Sequence, residues 1–299
     1  MSLTGKKSRK EIIMKNTIVK TLIYDKQVRL FFIDNTKLID DIFNQNKKID
    51  KVHKLLLGKA VSAVSLISGT LKGDLRISIQ ISMSHPKYKI FVDADAKGNV
   101  RGFLSDELLN ASLDDRSNVS ELIGHKGNIR VIKGSAMNQF TGITDMPYRN
   151  IIDDISHYFN QSEQTQTYLK ANIVLDNDDH LQMSHAVYAQ LLPGASPYLL
   201  DKIRQILNAN EKFVNKQGSL NADNFEKRLS ELFKGVKVIG ESPVQFFCGC
   251  SKEMFYGILH SLSKNELKQA MIAKEPIDTS CQICGRSYSF NESDIQSIL

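Results

Sequence analysis

The four cysteines of this sequence form two close pairs near its C-terminal end. Cys248 and Cys250 are separated by one residue, Cys281 and Cys284 by two, and no other cysteine occurs among the 299 residues. Two such pairs of thiolates can fill the four positions around a tetrahedral zinc ion when the fold brings them together. The spacing therefore predicts one zinc ion per chain, bound in the reduced form by all four cysteines.

The cysteine spacing alone leaves three interpretations open. A structural zinc site is one, although a common zinc ribbon has two Cys-x-x-Cys pairs about 15–20 residues apart, and here the first pair is closer and the spacer longer. A thiol oxidoreductase using Cys281 and Cys284 is the second, but no thioredoxin-like unit surrounds them. The third is a redox switch, because thiolate is the form of sulfur that oxidants attack. His260 is the one histidine of this region and the alternative ligand.

Composition places the chain among ordinary globular proteins, with 41% hydrophobic and 24% charged residues. The formal net charge is +6, but residues 1–13 contribute +3 of it, from four basic residues against one acidic residue. We interpret residues 1–13 as a leader or tag before a start at Met14. The remaining +3 is too small to argue for a nucleic-acid partner.

The sequence has no apolar run long enough to cross a bilayer. The longest uncharged part of its apolar helix is residues 60–71, which is 12 residues, whereas a spanning helix needs about 20. Cysteines in metal-like pairs, without a signal peptide, are typical of a reducing cytosol. We therefore expect a cytoplasmic protein with no membrane and no nucleic-acid partner.

The apolar pattern predicts an α+β fold, with a sheet-and-helix domain over residues 14–194. Its central helix is residues 52–71, where apolar residues recur at helical spacing with small residues between them. Alternating runs predict the strands. The remaining predicted elements are strands at 29–33, 75–83, 89–94, 100–103 and 128–133, helices at 37–44 and 151–159, and a hairpin formed by 171–176 and 181–187.

Residues 93–99 resemble the start of a calcium-binding loop. Its fifth position, however, is Lys97, and its twelfth is Leu104, where such a loop needs a bidentate glutamate. A hairpin turn at residues 97–99 is therefore the favoured interpretation.

Residues 195–240 are predicted to form a helical linker after the boundary at Pro193-Gly194. Ser196 is predicted to cap a helix whose first residue is Pro197, and a second helix should run from Asp223 to Gly235. The apolar stripes of two such helices normally pack on a core. They could also belong to a metastable linker that detaches from the preceding domain and exposes apolar surface. The apolar residues are Leu199, Leu200, Ile203, Ile206, Leu207, Phe213, Val214, Phe225, Leu229, Leu232 and Phe233.

Residues 241–299 are predicted to form a small zinc-binding module. A short strand at 244–247 should deliver Cys248, Ser251 should cap one helix, and the capping box at 263–266 should begin another. The module has few apolar residues, so bound metal must supply much of its folding free energy, about 10–16 kcal/mol in small zinc peptides.

Several motifs together resemble those of the thirty-three-kilodalton heat-shock protein family, which are bacterial redox-regulated holdase chaperones. The most specific is the cysteine pattern with Gly285, Tyr288 and Phe290 after it. The resemblance begins near Asn16 and covers nearly the whole chain. Supporting motifs are Phe91-Val92-Asp93-Ala94-Asp95, Gly98-Asn99-Val100-Arg101-Gly102, Gln161-Ser162-Glu163-Gln164-Thr165 and Leu191-Leu192-Pro193-Gly194-Ala195.

The resemblance implies an ATP-independent chaperone that prevents aggregation of unfolding client proteins under oxidative stress. It implies a redox-active centre in which Cys248 pairs with Cys250, and Cys281 with Cys284, when oxidation releases zinc. We further expect a homodimer in the activated form. The alternative from another class is a zinc-ribbon module that binds RNA or protein and is fused to an unrelated α+β domain. An enzyme is not expected, because no nucleotide loop, nucleophile elbow or metalloprotease helix occurs.

Overall fold

The computed structural model describes residues 16–45, 49–113, 118–211, 222–273, 275–281, 283–284 and 286–298. The leader proposed for residues 1–13 lies outside these residues, as do Phe213, Val214 and Gly285. Strands and helices are interspersed along the chain, and the described residues form two large sheets and a third sheet of two strands. The predicted α+β class is confirmed.

Sheet A is antiparallel and has five strands. In spatial order these are β10 (Lys237–Pro243), β1 (Thr17–Ile23), β2 (Val28–Asp34), β9 (Leu181–Leu191) and β8 (Thr167–Leu175). The predicted strand at 29–33 and the hairpin of β8 and β9 are confirmed. Strand β10 comes from the segment predicted as linker, and the predicted border at residue 240 falls inside it.

Sheet B has six strands, and its short edge strand β11 (Gln245–Phe246) runs parallel to β5. The other pairs are antiparallel, and the predicted strands of this sheet are confirmed. The spatial order after β11 is β5 (Asn99–Leu104), β4 (Lys89–Asp95), β3 (Arg76–Ser82), β6 (Asn128–Gly134) and β7 (Gln139–Asp145).

The turn between β4 and β5 confirms the hairpin interpretation of the acidic run. The Asp95 carboxylate accepts hydrogen bonds from the backbone N–H groups of Lys97 and Asn99, at 2.9 and 3.0 Å. Gly98 has φ +80°, and a Cβ there would lie 2.0 Å from the Pro243 carbonyl oxygen. The turn therefore requires glycine, and its carboxylate closes the loop itself.

Helix α2 (Lys51–Ser68) lies between the two sheets and confirms the predicted central helix. Fourteen of its 18 residues are buried, because one side packs on sheet A and the other on sheet B. Gly102 on β5 permits the close approach, since a Cβ there would lie 2.6 Å from Val61 Cγ2. Helices α1 (Thr36–Gln45) and α5 (Ile151–Ser162) confirm two further predictions, and the short α3 (Asp106–Leu109) and α4 (Val119–Ile123) complete this region.

Helices α6 (Tyr198–Ala209) and α7 (Ala222–Leu232) cover the opposite face of sheet A. Ile203 and Leu207 of α6 are fully buried, as are Phe225 and Leu229 of α7. The predicted apolar stripe is therefore confirmed for its described members. The predicted cap is wrong by one residue, because Pro197 occupies the N-cap position and no side chain caps the helix there.

The C-terminal module contains α8 (Lys252–Ser261), α9 (Lys264–Ala273), α10 (Glu292–Gln296) and the hairpin of β12 (Ile277–Ser280) and β13 (Ser287–Phe290). The predicted capping box is confirmed by two reciprocal hydrogen bonds between Ser263 and Glu266, at 2.8 and 3.2 Å. Ser251 occupies the N-cap position of α8 without a side-chain capping bond. No described helix of the chain has the length and apolar character needed to cross a membrane.

Candidate metal centre

The first cysteine pair follows directly from sheet B. Strand β11 pairs with β5, and the Phe247 N–H continues this pairing by donating to the Val100 carbonyl at 3.2 Å. Between the cysteines, Gly249 has φ +70°, a backbone conformation that glycine adopts at little cost. The chain can therefore turn sharply and present Cys248 and Cys250 on one side.

The second pair lies at the end of the β12 and β13 hairpin. The backbone N–H of Cys281 donates to the Arg286 carbonyl at 2.9 Å, so the hairpin holds the start of the turn that carries Cys284. The Cys281 side chain is buried, and the other three cysteines are partly exposed.

The fold brings all four predicted ligands together. The Sγ atoms of Cys248 and Cys281 are 3.5 Å apart, those of Cys250 and Cys284 are 3.3 Å apart, and the four lie within 4.8 Å of one another. A tetrahedral site with Zn–S bonds of 2.3 Å has sulfurs about 3.8 Å apart. The cluster therefore fits a metal ion of this kind. His260 lies on the exposed side of α8 and is not among the clustered groups.

The electrostatic environment distinguishes the four thiols. Burial by itself raises the pKa of Cys250, but hydrogen bonds from Tyr288 and from neighbouring sulfurs outweigh it and lower the pKa to about 7. Burial and the hydrogen bond with Cys281 raise the pKa of Cys248, and burial raises the pKa of Cys284. In the metal-free cluster, Cys250 is therefore ionised more readily than Cys248 or Cys284.

Tyr288 connects the cysteine cluster to helix α8, and Asp294 connects α10 to the same helix. The Tyr288 hydroxyl donates to Cys250 Sγ at 3.0 Å, and its ring packs 4.9 Å from the ring of Phe255 on α8. Asp294 accepts from Lys252 Nζ and from the Tyr256 hydroxyl, both at 2.7 Å. The module has a small apolar core, whose buried members besides Cys281 are Leu259, Leu267, Phe290 and Ile295. Because so small a core contributes little, a bound metal would supply a large share of the module's folding free energy.

Arg101 on β5 connects the first cysteine pair to sheet B. Its Nη1 donates to the Cys248 carbonyl at 2.8 Å, and its Nε lies 3.0 Å from Asp93 Oδ2. Sequence reasoning noted Arg101 only as part of a motif and missed this contact, because the partner is 147 positions away in the chain and an arginine on a strand carries no signal of it. Tyr288 was noted in the motif, but its hydrogen bond to Cys250 follows only from the hairpin register.

A family model described as "Hsp33 protein" matches residues 16–291. The chain belongs to the Hsp33 family. It is 28% identical to the "33 kDa chaperonin" of Bacillus cytotoxicus over an alignment of 296 positions, and the alignment covers 96% of this chain and 99% of the relative. It is 27% identical to the protein of the same name from Bacillus cereus strain AH187, with the same coverage.

The fold is similar to a crystal structure of the 33 kDa chaperonin from Thermotoga maritima. The TM-score is 0.76 at 18% sequence identity, over 95% of this chain and 97% of the other. Family membership makes this chain a chaperone. The four clustered cysteines fit the redox and metal chemistry that the sequence pattern indicated.

Proposed function

We propose that this chain is a redox-regulated, ATP-independent holdase that binds unfolding proteins and prevents their aggregation under oxidative stress. The observation that carries the proposal is the cluster of four sulfurs within 4.8 Å, joined by a short connection to helices that cover an apolar sheet face. A thiolate cluster can hold zinc and can also be oxidised, so one site can serve both as a structural element and as a sensor.

In the reduced form, Cys248, Cys250, Cys281 and Cys284 hold one zinc ion. Bound zinc keeps the sulfurs deprotonated and ties the two pairs together. Tyr288 holds the sulfur of Cys250 through its hydroxyl.

Oxidation by peroxide removes two electrons from each pair. A bond forms between the sulfurs of Cys248 and Cys250, and another between those of Cys281 and Cys284, while each peroxide takes up two protons and becomes two water molecules. The contacts of 3.5 and 3.3 Å join sulfurs of different pairs. Bonding within each pair therefore replaces the links between the pairs, so the metal is released and the module loses its main support.

Release of the module should also release the linker helices, because the chain runs from α7 through β10 and β11 directly into Cys248. Five large residues of the linker are nearly or completely buried, and at about 1.5–3 kcal/mol each their burial is worth about 7–15 kcal/mol. That range is an upper estimate, and it is comparable with the free energy of structural zinc binding, about 10–16 kcal/mol. Loss of the metal is therefore large enough to change which state is populated. The five are Ile203, Leu207, Phe225, Leu229 and Phe233.

In the released state, the apolar stripes of α6 and α7 and the face of sheet A beneath them become available to clients. The partners are unfolded or partly unfolded proteins, and the activated form is a homodimer. The protein acts in the cytoplasm, where reducing conditions keep the cysteines in the metal-bound form until an oxidant appears.

The test measures zinc content and suppression of thermal aggregation on the same sample, without ATP, before and after peroxide treatment. We expect one zinc per reduced chain with little suppression, and then zinc loss with strong suppression that a reductant reverses. Retained zinc in the active form, or equal suppression in both forms, contradicts the proposal. A Cys281→Ser/Cys284→Ser variant should bind no stoichiometric zinc, and full zinc occupancy in it would refute the site.

A further inference from the structure

Sheet B has a second face, which points away from α2 and carries an aromatic pair. Phe91 on β4 and Phe103 on β5 are cross-strand partners, and their rings stack with centroids 4.9 Å apart and planes 16° apart. In the same row of paired residues, Gln80 lies beside Phe91 and Arg130 beside Gln80. We call this surface the knuckle face.

The adjacent row of the knuckle face is polar and charged near the aromatic pair and apolar further away. Arg101 is paired with Asp93, Asp93 with Ser78, and Ser78 with Ile132. Ser78 Oγ donates to Asp93 Oδ1 at 2.6 Å, and Arg101 binds the other oxygen. The polar groups of this row are therefore satisfied, and the aromatic pair and Ile132 remain the parts that gain from a cover.

Ile283 of the C-terminal module lies beside this surface. It lies between Cys281 and Cys284, and it lines one groove of about 270 Å³ together with Phe91, Phe103 and Ile132. The first cysteine pair is held at the same face, because Arg101 donates to the Cys248 carbonyl. Both halves of the metal site therefore meet the knuckle face, and the position of Ile283 depends on the cluster that holds Cys281 and Cys284.

We propose that the knuckle face is a client-binding surface, and that a branched aliphatic side chain from an extended segment of an unfolded protein takes the place of Ile283 when the metal site opens. The proposal rests on the proposed holdase function and names one of its binding sites. The occupant follows from the groove itself, because the C-terminal module already contributes a branched aliphatic side chain, Ile283, to its lining. An aromatic pair is a suitable partner for such a side chain, since it buries a large area with little loss of rotamer freedom.

The groove predicts opposite effects for its two sides. Replacing Phe91 or Phe103 with serine removes binding surface and should weaken client binding by the oxidised protein. Replacing Ile283 with serine removes the apolar side chain that the module contributes to the groove while leaving all four cysteines, and should allow binding by the reduced, zinc-containing protein. A general loss of hydrophobicity or stability would not give effects of opposite sign.

The experiment measures fluorescence anisotropy of labelled, carboxymethylated α-lactalbumin, which stays unfolded, with the full chain in its oxidised and reduced forms. We expect Phe91→Ser and Phe103→Ser each to weaken binding by the oxidised protein roughly tenfold. Ile283→Ser should strengthen binding by the reduced protein at least about fivefold. Zinc content and far-ultraviolet circular dichroism of the reduced variants confirm that the fold and the site are retained.

Phe140→Ser is the matched control, because Phe140 is 78% exposed on β7 and does not line the groove. Its binding should stay within about twofold of the unmodified protein. Equal binding by the unmodified, Phe91→Ser and Phe103→Ser proteins overturns the proposal, as does an equal loss in Phe140→Ser. An Ile283→Ser protein that keeps its zinc and still binds no better when reduced also overturns it.

Two other outcomes distinguish a failure of this proposal from a failure of the proposed holdase function. If the unmodified oxidised protein binds no α-lactalbumin, the holdase function fails and the knuckle-face proposal falls with it. If Phe91→Ser turns an oxidised dimer into a monomer by light scattering but binds the probe normally, the face belongs to a second copy of the chain and the client assignment is wrong.

Discussion

The two faces of sheet A are equally apolar, yet they are covered in different ways. On β2, Phe31 and Ile33 face helix α2, and Leu30 and Phe32 face the linker helices α6 and α7. Helix α2 buries fourteen of its 18 residues because it lies between two sheets. Helix α6 buries two of its 12 residues, Ile203 and Leu207, in the apolar cluster that it shares with sheet A and α7. Helix α2 is therefore part of the core between the two sheets, whereas helix α6 lies on the outer face of sheet A.

The polar contacts beside the apolar ones also differ between the two faces of sheet A: they are buried on the α2 side and exposed on the linker side. On the α2 side, Asn35 Nδ2 donates to Ser62 Oγ at 3.0 Å and Ser184 Oγ donates to Asn35 Oδ1 at 2.7 Å, all within the buried interior. On the linker side, Lys170 Nζ donates to Glu211 at 2.8 Å in an exposed position. Breaking a buried hydrogen bond is costly because its donor and acceptor are left unsatisfied, whereas exposed ion pairs contribute little to stability. The comparison shows that a helix can bury a fully apolar stripe on a sheet and still be the element that separates from the sheet more easily.

Metal removal should produce the largest difference between the two covers. A chelator with a reductant should abolish amide protection across residues 248–298, because structural zinc provides about 10 kcal/mol or more. Residues 198–209 should lose much of their protection, and residues 51–68 should keep theirs. Hydrogen exchange with mass spectrometry measures all three segments at once. Simultaneous loss of protection in α2 would show that the two covers open together.

A pair of buried leucines makes the comparison at single side chains. Leu57 of α2 and Leu207 of α6 are both 0% exposed. Leu57→Ala should lower the free energy of unfolding by about 3 kcal/mol or more, without giving chaperone activity to the reduced protein. Leu207→Ala should cost less in global unfolding and give partial aggregation suppression in the reduced, zinc-containing form. Urea unfolding and light scattering give the two values, and similar behaviour of both variants would remove the distinction.

The end of strand β2 should depend on pH. Burial raises the pKa of the Asp34 carboxyl, but hydrogen bonds from His185 and Thr36 outweigh it and lower the pKa below its ordinary value. Asp34 therefore stabilises the fold above its unfolded pKa of about 3.9, and this contribution is lost as pH falls through the lower folded value. Asp34→Asn should cost about 2 kcal/mol at pH 7, and the difference should shrink as pH falls below the unfolded pKa of about 3.9 toward the lower folded value. A constant difference across this range in urea titrations would contradict the assignment.

The smallest effect should come from the exposed ion pair at the edge of α6. Lys170→Ala removes the contact with Glu211 and the hydrogen bond to Asn208, and we expect less than about a twofold change in amide exchange of α6. Lys37→Ala is the matched control on α1, because Lys37 makes a similar exposed pair with Asp41 at 3.0 Å. A large loss of protection in α6 from Lys170→Ala would mean that surface charge, and not the apolar stripe, holds the linker.

The sequence by itself determined many of the local elements and pointed to the four candidate metal ligands. Helix α2, the strands that the alternating pattern predicted and the capping box at Ser263 follow from periodicity and short-range hydrogen bonding, which depend on residues only a few positions apart. Strands β7 and β10 were not predicted. The four cysteines followed from their number and spacing, since thiolates in two close pairs have a known preference for metal. The independent folding of residues 14–194 stays a prediction.

Tertiary structure decided how these elements are joined. Strand β10 and strand β11 look like linker and module in the sequence, but they pair with β1 and β5, and Val244 between them is 3% exposed in the main core. A truncated chain ending at residue 247 should therefore be more stable than one ending at residue 194. The Arg101 contact with Cys248 and the seat of Ile283 on sheet B also depend on residues more than a hundred positions apart. Pairing over such distances is set by the packing of whole surfaces, which no local pattern in the chain records.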